Sequence, residues 1–297
     1  MPVDASSTRH APTLAEARQW SALAVATTGL AHLEATPPVP CQDAAGTRTT
    51  PRPVLVVADG AGSSSASDIG ARAVVSAMLR LIETLEPQLA WLLDGPQEHS
   101  REPLKQFAER LVSHAQGTLI DRAAELSRPV RDLRCTLLLA VLGRERLLWL
   151  KVGDGELVLE RAIPESPSGS ELAEGEMPTL VPQLATLGER GKGEFANQTQ
   201  FVDECLEVGQ IQCGSETTEA LTGIALMSDG AAEKLVSYDG TQVSGQLSHW
   251  LNDLRQERLR QRDLVRCFYS ESFCRGTSGD DRSIALASCG LGEYWPA

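Results

Sequence analysis

The chain has 297 residues, of which 27 are Lys or Arg and 40 are Asp or Glu, so its formal net charge is -13 at pH 7. Phosphate backbones are bound mainly by clustered basic side chains, and this acidic sequence has no basic run, so we expect no nucleic-acid partner. The content of 42% hydrophobic and 23% charged residues is typical of a globular protein with a large core and excludes a wholly disordered chain.

The most apolar region, residues 133–152, is interrupted by Arg144, Glu145 and Arg146. It therefore falls short of the roughly 20 apolar residues that span a bilayer, and we expect no membrane association. The first 20 residues lack the apolar stretch of a secretory signal, which favours a cytoplasmic location. The seven cysteines include no C-x-x-C pair, so we expect reduced thiols rather than disulfides or a zinc site.

In the first half of the chain, short β-branched runs alternate with longer helical patterns. Residues 21–27 and 54–58 are apolar runs typical of buried strands. Apolar residues recur every four positions over residues 67–93, which predicts a long helix with a break allowed at Pro87. Helical spacing resumes over residues 104–126.

The second half begins with three predicted strands in a row, at residues 133–142, 147–152 and 157–161, which we expect to form a meander. Residues 163–182 are rich in Pro, Ser, Gly and Glu without periodicity, which indicates an exposed insertion.

The last part of the chain is predicted to contain a strand at residues 223–227, a helical stretch at 243–273 and a final strand at 283–288. Strands cluster apart from helices along the chain instead of alternating with them. This favours an α+β layered fold over a doubly wound parallel sheet.

Acidic residues stand at the ends of several predicted strands. Asp59, Asp154 and Asp229 each precede a glycine at or just past the end of an apolar run. Asp280-Asp281 comes directly before the final strand, and Gln42-Asp43 follows the opening strand after a Pro-rich loop. Strand ends could bring these carboxylates together; separate turn and cap residues are the alternative.

Converging carboxylates need a compensating charge, which hard divalent cations with oxygen ligands supply. Such ligands suit Mg²⁺ or Mn²⁺ better than Zn²⁺, and the sequence has no paired His or Cys spacing. Two such ions about 4 Å apart can activate a shared water for attack at phosphorus. If the carboxylates converge, the expected reaction is hydrolysis of a phosphoester.

Five motifs in this order resemble the metal-dependent serine/threonine protein phosphatases, also called the type 2C or PPM family, over residues 21–288. The motifs are Gln42-Asp43, Asp59-Gly60-Ala61-Gly62, Gly153-Asp154, Ser228-Asp229-Gly230 and Gly279-Asp280-Asp281-Arg282-Ser283. The resemblance implies a four-layer α-β-β-α sandwich, in which two antiparallel sheets are flanked by helix pairs. It also implies a single domain over residues 21–297 after a polar leader at 1–20, with a flap-like insertion at about 163–203.

The resemblance also implies roles for individual residues. Asp59 is the expected catalytic-centre carboxylate that bridges two Mg²⁺ or Mn²⁺ ions, and the Gly60 carbonyl contacts the second ion. Asp229 and Asp281 are expected to hold the first ion. Asp43 is expected on the second ion, directly or through water.

A weaker third metal is expected at Asp154 together with Asp229, although Gly155-Glu156 replaces the usual Ser-Arg there. Ala61 stands where many relatives have a histidine proposed as a general acid, so the leaving group must be protonated by water or another group. His32 lies near the place of the usual phosphate-binding arginine. We expect it to contact the substrate phosphate; a solvated loop histidine is the alternative.

The function implied is hydrolysis of phosphoserine or phosphothreonine in a phosphorylated protein substrate, by direct attack of a metal-bridging hydroxide, in a monomer. Two alternatives remain at this point: a catalytically weak relative that uses the cleft for regulation or binding, and a phosphatase of a small phosphorylated metabolite.

Overall fold

Antiparallel strands account for the centre of the molecule. The computed structural model describes residues 19–95, 101–165, 179–189 and 199–290. In these residues the strands are Trp20–Thr27 (β1), Asp43–Arg48 (β2), Val54–Asp59 (β3), Leu137–Leu142 (β4), Arg146–Val152 (β5), Glu156–Pro164 (β6), Leu180–Leu187 (β7), Gln212–Thr217 (β8), Leu221–Met227 (β9) and Arg282–Cys289 (β10).

The strands form two sheets of five. The first sheet has the order β1-β10-β9-β6-β7 and the second the order β2-β3-β4-β5-β8, and neighbouring strands are antiparallel throughout. The sheets face each other across a layer of buried aliphatic side chains that includes Leu55 and Leu138 from the second sheet and Leu226 and Ala285 from the first. Burying one face of each sheet in this way is the main stabilising contribution of the sandwich.

Helices cover both outer faces of the sandwich. In the described residues they are Leu30–Glu34 (α1), Ser67–Thr84 (α2), Glu86–Leu93 (α3), Arg101–Leu126 (α4), Asp229–Leu235 (α5), Gly245–Arg255 (α6), Gln261–Phe268 (α7) and Glu271–Cys274 (α8). The helices α2 and α4 pack together over the second sheet, whereas α5, α6 and α7 pack on the first. The expected α+β fold with helix–sheet–sheet–helix layers is confirmed.

The periodicity of α2 explains its position. Ala71, Val74, Met78 and Ile82 recur at helical spacing and are buried against the second sheet. The predicted break of this helical stretch occurs at Leu85, between α2 and α3.

The prediction that three consecutive strands form a meander is wrong for the third strand. The strands β4 and β5 pair with each other, but β6 lies in the first sheet between β9 and β7. Gly153, in the turn after β5, has φ +108°, a conformation that glycine adopts readily. The turn therefore carries the chain from one sheet to the other instead of folding it back as a hairpin.

Other differences concern polar segments. The predicted helical stretch at 243–273 is divided into α6, α7 and α8. The predicted insertion is narrower than expected, because β6 continues to Pro164 and β7 pairs with it from Leu180 onward. Residues 166–178 and 190–198 of the expected flap, and residues 1–18 of the expected leader, lie outside the described residues.

No helix in the described ranges combines the length and apolar content needed to cross a membrane. The cysteines are free thiols, as expected.

Candidate metal centre

Two aspartates face each other at the edge of the second sheet. Asp43 begins β2, Asp59 ends β3, and the two are paired in register. Residues opposite each other in an antiparallel pair point to the same face, with Cβ atoms about 5 Å apart. The apolar run before Asp59 is fully buried, so the sheet fixes both carboxylates at this edge.

The backbone around Asp59 is held on both sides. Its N–H donates to Thr136 Oγ1 (2.9 Å), and Thr136 N–H donates to the Asp59 carbonyl (2.7 Å). Gly60 N–H donates to the carbonyl of Gln42 (3.1 Å). A Cβ atom on Gly60 would lie 2.8 Å from that carbonyl oxygen and from Ser67, so the close approach of the two loops requires glycine.

Asp229 is supplied by the first sheet. It begins α5 directly after β9, and the start of this helix is tied to β10 by hydrogen bonds in both directions between Ser228 and Ser283. A Cβ on Gly230 would lie 2.2 Å from the Asp281 carbonyl oxygen. Glycine at this position therefore lets α5 approach the residues before β10.

The electrostatics show that five carboxylates converge. Desolvation raises the pKa of Asp59 well above its ordinary value, and the charges of Asp43, Asp229, Asp280 and Asp154 raise it further. The pKa of Asp229 is raised to about 6 by desolvation and by Asp154 and Asp280. These mutual effects favour a common site over the alternative of separate turn residues.

Asp43 is the most buried member of this group, with 5% of its surface exposed. Desolvation raises its pKa to about 7, although the hydroxyls of Ser228 and Ser283 partly offset this effect. Its Oδ2 is buried and has no hydrogen-bond partner in the described residues. A buried carboxylate oxygen of this kind is costly unless a cation or a donor reaches it.

The adjacent residues Asp280 and Asp281 differ in their surroundings. The carboxylate of Asp281 is 2% exposed and accepts hydrogen bonds from the backbone N–H groups of Gly29 (2.6 Å) and Gln42 (2.6 Å). Asp280 is 51% exposed, and it is Asp280 that contributes to the raised pKa values of both Asp59 and Asp229. Sequence reasoning missed Asp280 as a site residue; the signal for it was the acidic pair itself.

His32 lies beside this pair rather than in an open loop. It belongs to α1, and its side chain is 19% exposed. Nδ1 is 3.0 Å from Asp281 Oδ1 and Nε2 is 3.9 Å from Asp280 Oδ1, but Nδ1 is buried and has no hydrogen-bond partner in the described residues. One potential ligand atom from each of His32, Asp280 and Asp281 lies within 4.8 Å of the others.

Asp154 lies at the crossing between the sheets, after the turn at Gly153. Its Oδ2 accepts a hydrogen bond from Thr199 Oγ1 (2.8 Å). Thr199 is a second residue that sequence reasoning missed, because it lies 45 positions away in a segment without a recognisable motif. This hydrogen bond thus connects the segment that follows β7 to Asp154, in the loop after β5.

The donor set fits divalent cations. Among the ion pairs of the described residues, none joins a Lys or Arg side chain to any of these aspartates. Converging oxygen ligands with raised pKa values and an unpartnered buried oxygen are what Mg²⁺ or Mn²⁺ sites provide. Divalent ions would supply the positive charge that the described Lys and Arg side chains do not bring to these aspartates.

Several solved structures share this fold. A bacterial serine phosphatase has a TM-score of 0.57 at 13% identity, covering 92% of this chain and 98% of that chain. The serine/threonine phosphatase Stp1 from Staphylococcus aureus has a TM-score of 0.53 at 13% identity, covering 91% and 95%. The catalytic domain of the serine/threonine protein phosphatase PstP, in complex with two manganese ions, has a TM-score of 0.51 at 15% identity, covering 91% and 98%.

The sequence comparisons differ in what they find. No curated protein sequence matches the chain. A family model described as Protein phosphatase 2C matches residues 28–268, a range that contains β2 to α7 and four of the five converging carboxylates. The chain belongs to the protein phosphatase 2C family.

Proposed function

We propose that this chain is a metal-dependent protein phosphatase that hydrolyses phosphoserine and phosphothreonine. The observation that carries the proposal is the convergence of five carboxylates on Asp59 without a basic ion-pair partner in the described residues. The solved neighbours that share its fold are named as serine and serine/threonine phosphatases. A protein that used this cleft only for binding would have no need for so costly a group of carboxylates.

Asp59 would take part in holding both of two Mg²⁺ or Mn²⁺ ions. Asp43 and the Gly60 carbonyl would hold the second ion, since Asp43 faces Asp59 across the strand pair. Asp229 and Asp280 hold the first ion. The bound ions supply an activated water and neutralise charge that develops at phosphorus.

Asp280 replaces Asp281 as the proposed ligand of the first ion. Both oxygens of Asp281 already accept short hydrogen bonds from backbone N–H groups, so Asp281 holds the loops before α1 and β2 together. Asp154, fixed by Thr199, offers a weaker third metal position with Asp229.

His32 binds the substrate phosphate in this proposal. Nδ1 of the imidazole lies 3.0 Å from Asp281 Oδ1, and Nε2 lies on the side of Asp280, 3.9 Å from its Oδ1. Ala61 follows Gly60 in the sequence and offers no proton, so water or another group protonates the leaving group.

Residues 21–297 act as one catalytic domain, with the segment at about 163–203 as a flap. The pairing of β1 with β10 supports this assignment, because it places Trp20, near the start of the described residues, opposite Cys289, near their end.

The test is Mn²⁺-dependent phosphate release from a phosphothreonine peptide. We expect release by the wild type to vanish with chelator and in Asp229→Ala. Asp239→Ala is a matched control, because Asp239 also precedes a glycine but is exposed and bonds only to Ser237 and Thr241 in the described residues. Metal-dependent turnover that survives in Asp229→Ala, or metal binding without any turnover of phosphopeptides, would contradict the proposal.

A further inference from the structure

Three arginines spaced by three residues border the candidate metal centre. Arg128, Arg131 and Arg134 form what we term the arginine strip. The strip adjoins the metal-binding loop directly, because the Arg134 carbonyl accepts a hydrogen bond from Ala61 N–H (3.1 Å) and the next residue, Cys135, is bridged to Gly60. The backbone of Arg134 therefore lies next to that of Ala61, two residues after Asp59.

The loop after Asp59 lies along this strip through three consecutive serines. Ser63 Oγ and Ser64 Oγ accept hydrogen bonds from Arg134, at 2.8 Å from Nη2 and 3.1 Å from Nε. Ser65 Oγ accepts one from Arg128 (2.9 Å), and Ser64 Oγ donates to the carbonyl of Arg131 (2.8 Å). The serine run thus holds the guanidinium groups of Arg128 and Arg134, and the backbone of Arg131, next to the loop that follows Asp59.

Arg134 is the most constrained of the three. Its guanidinium lies over the ring of Phe201, 5.1 Å from the centroid, and Phe201 is held in turn because Val202 N–H donates to the Cys135 carbonyl (2.7 Å). Within the described residues, two of the five guanidinium N–H groups are hydrogen-bonded. Because the guanidinium of Arg134 is stacked and partly hydrogen-bonded, it is pre-organised to bind an anion through its remaining N–H groups.

The strip also carries a net positive charge. Arg128 lies 3.6 Å from Asp132, whereas neither Arg131 nor Arg134 forms an ion pair with an acidic side chain among the described residues. On a chain with a net charge of -13, beside a group of aspartates, such a strip gives an anionic segment a favourable path to the cleft.

We propose that the arginine strip binds acidic groups that flank the phosphorylated residue of the substrate, either carboxylates or a second phosphate. This inference rests on the proposed phosphatase function and specifies its substrate class. Arg134 forms bidentate contacts with the group nearest the scissile phosphate, and Arg131 and Arg128 attract groups further along the peptide.

The test compares two phosphothreonine peptides, one with glutamates and one with alanines on both sides of the phosphothreonine, using the full chain loaded with Mn²⁺. We expect the wild type to have a kcat/KM roughly threefold to tenfold higher for the acidic peptide, the range of one or two exposed ion pairs. The preference falls in Arg134→Ala and in Arg131→Ala, and approaches unity in the double variant. Arg134→Lys retains part of it because the charge remains without the fork.

Arg262→Ala is the control, because Arg262 is 80% exposed on α7, on the other side of the sandwich, and its loss leaves the preference unchanged. The Arg131 variant keeps the test valid if substitution of Arg134 disturbs folding, because Arg131 is exposed. A wild type that turns over both peptides equally, or a double variant with the full preference, overturns this inference alone. Binding of the strip to anionic vesicles without peptide preference also overturns it, and no turnover of either peptide overturns the proposed function as well.

Discussion

Two groups of buried charge lie at opposite ends of the first sheet, and only one is compensated by the protein. Near Gly223, Glu160 Oε1 accepts hydrogen bonds from Arg255 (2.5 Å) and Thr222 (2.9 Å). At the other end of β9, Asp229 joins a group of carboxylates whose pKa values are raised.

The difference separates a structural charge from a binding charge. The ion pair of Glu160 and Arg255 has both of its charges within the chain, although Glu160 Oε2 has no hydrogen-bond partner in the described residues, and it contributes to the packing of α6 on the sheet. The carboxylates around Asp59 destabilise the metal-free folded protein. A bound cation offsets their repulsion and desolvation, which contributes to the affinity for metal. Substitutions in the two groups should therefore have opposite effects on the stability of the metal-free protein.

The largest effect on stability is expected from Arg255→Met, which removes the partner of a fully buried carboxylate. We expect the free energy of unfolding to fall by about 3–5 kcal/mol, measured by urea denaturation in the presence of chelator. The Mn²⁺ affinity of the folded fraction stays unchanged. Wild-type stability in this variant would contradict the structural role of the pair.

Asp59→Asn should have the opposite effect on the stability of the metal-free protein and should abolish most of the activity. We expect activity to fall by at least about a hundredfold, since even indirect partners of metal ligands are worth up to that factor. The metal-free variant should melt at a higher temperature than the metal-free wild type, because a carboxylate with a raised pKa has been removed. Phosphate release and calorimetry with chelator measure the two effects, and a lower melting temperature would show that Asp59 is compensated within the chain.

Metal removal should destabilise the protein in a pH-dependent manner. At a free Mn²⁺ concentration of about 100 times Kd, bound metal contributes about 2.7 kcal/mol. The folded-state pKa values of Asp43 and Asp229 are raised to about 7 and about 6. Their contribution to the stability of the metal-free chain is therefore present at acidic pH and lost as the pH rises through about 6 to 7.

The stabilisation by Mn²⁺ should consequently be greatest above pH 7 and shrink toward pH 5, where protons compete with the metal. Melting curves with Mn²⁺ and with chelator across this range measure the difference. A stabilisation that does not depend on pH would mean that these two carboxylates do not take part.

The smallest effect is expected from Asp281→Asn, which keeps one acceptor for the two backbone donors. The loss of one hydrogen bond should reduce the free energy of unfolding by about 1 kcal/mol. Metal affinity should be retained, in contrast to Asp280→Asn. Titrations of Mn²⁺ into both variants separate the adjacent aspartates, and equal losses would restore Asp281 to the ligand set.

The sequence predicted the elements whose burial is continuous. The strands β3, β9 and β10 each contain an apolar run and are buried over all or nearly all of their length, and the acidic motifs near strand ends predicted both the layered fold and the convergence of Asp43, Asp59, Asp154 and Asp229. The strands β2, β7 and β8 were missed: β2 and β8 contain glycine and polar residues, and all three lie at sheet edges, where a strand need not be apolar.

Two features could not be predicted because they depend on contacts between distant parts of the chain. Which of Asp280 and Asp281 faces the carboxylates is decided by backbone N–H groups 239 and 252 positions away. The passage of β6 into the first sheet depends on the backbone at Gly153, whereas the apolar pattern of β6 suits either sheet.

The central claim is that the carboxylates around Asp59 form a site for divalent metal with Asp280 as a member. The most direct test is isothermal titration of Mn²⁺ into the wild type, Asp280→Asn and Asp239→Asn at pH 7.5. The account predicts two ions bound to the wild type and to Asp239→Asn, with a clear loss of affinity in Asp280→Asn. Equal binding by all three proteins, or no binding by the wild type, would contradict it.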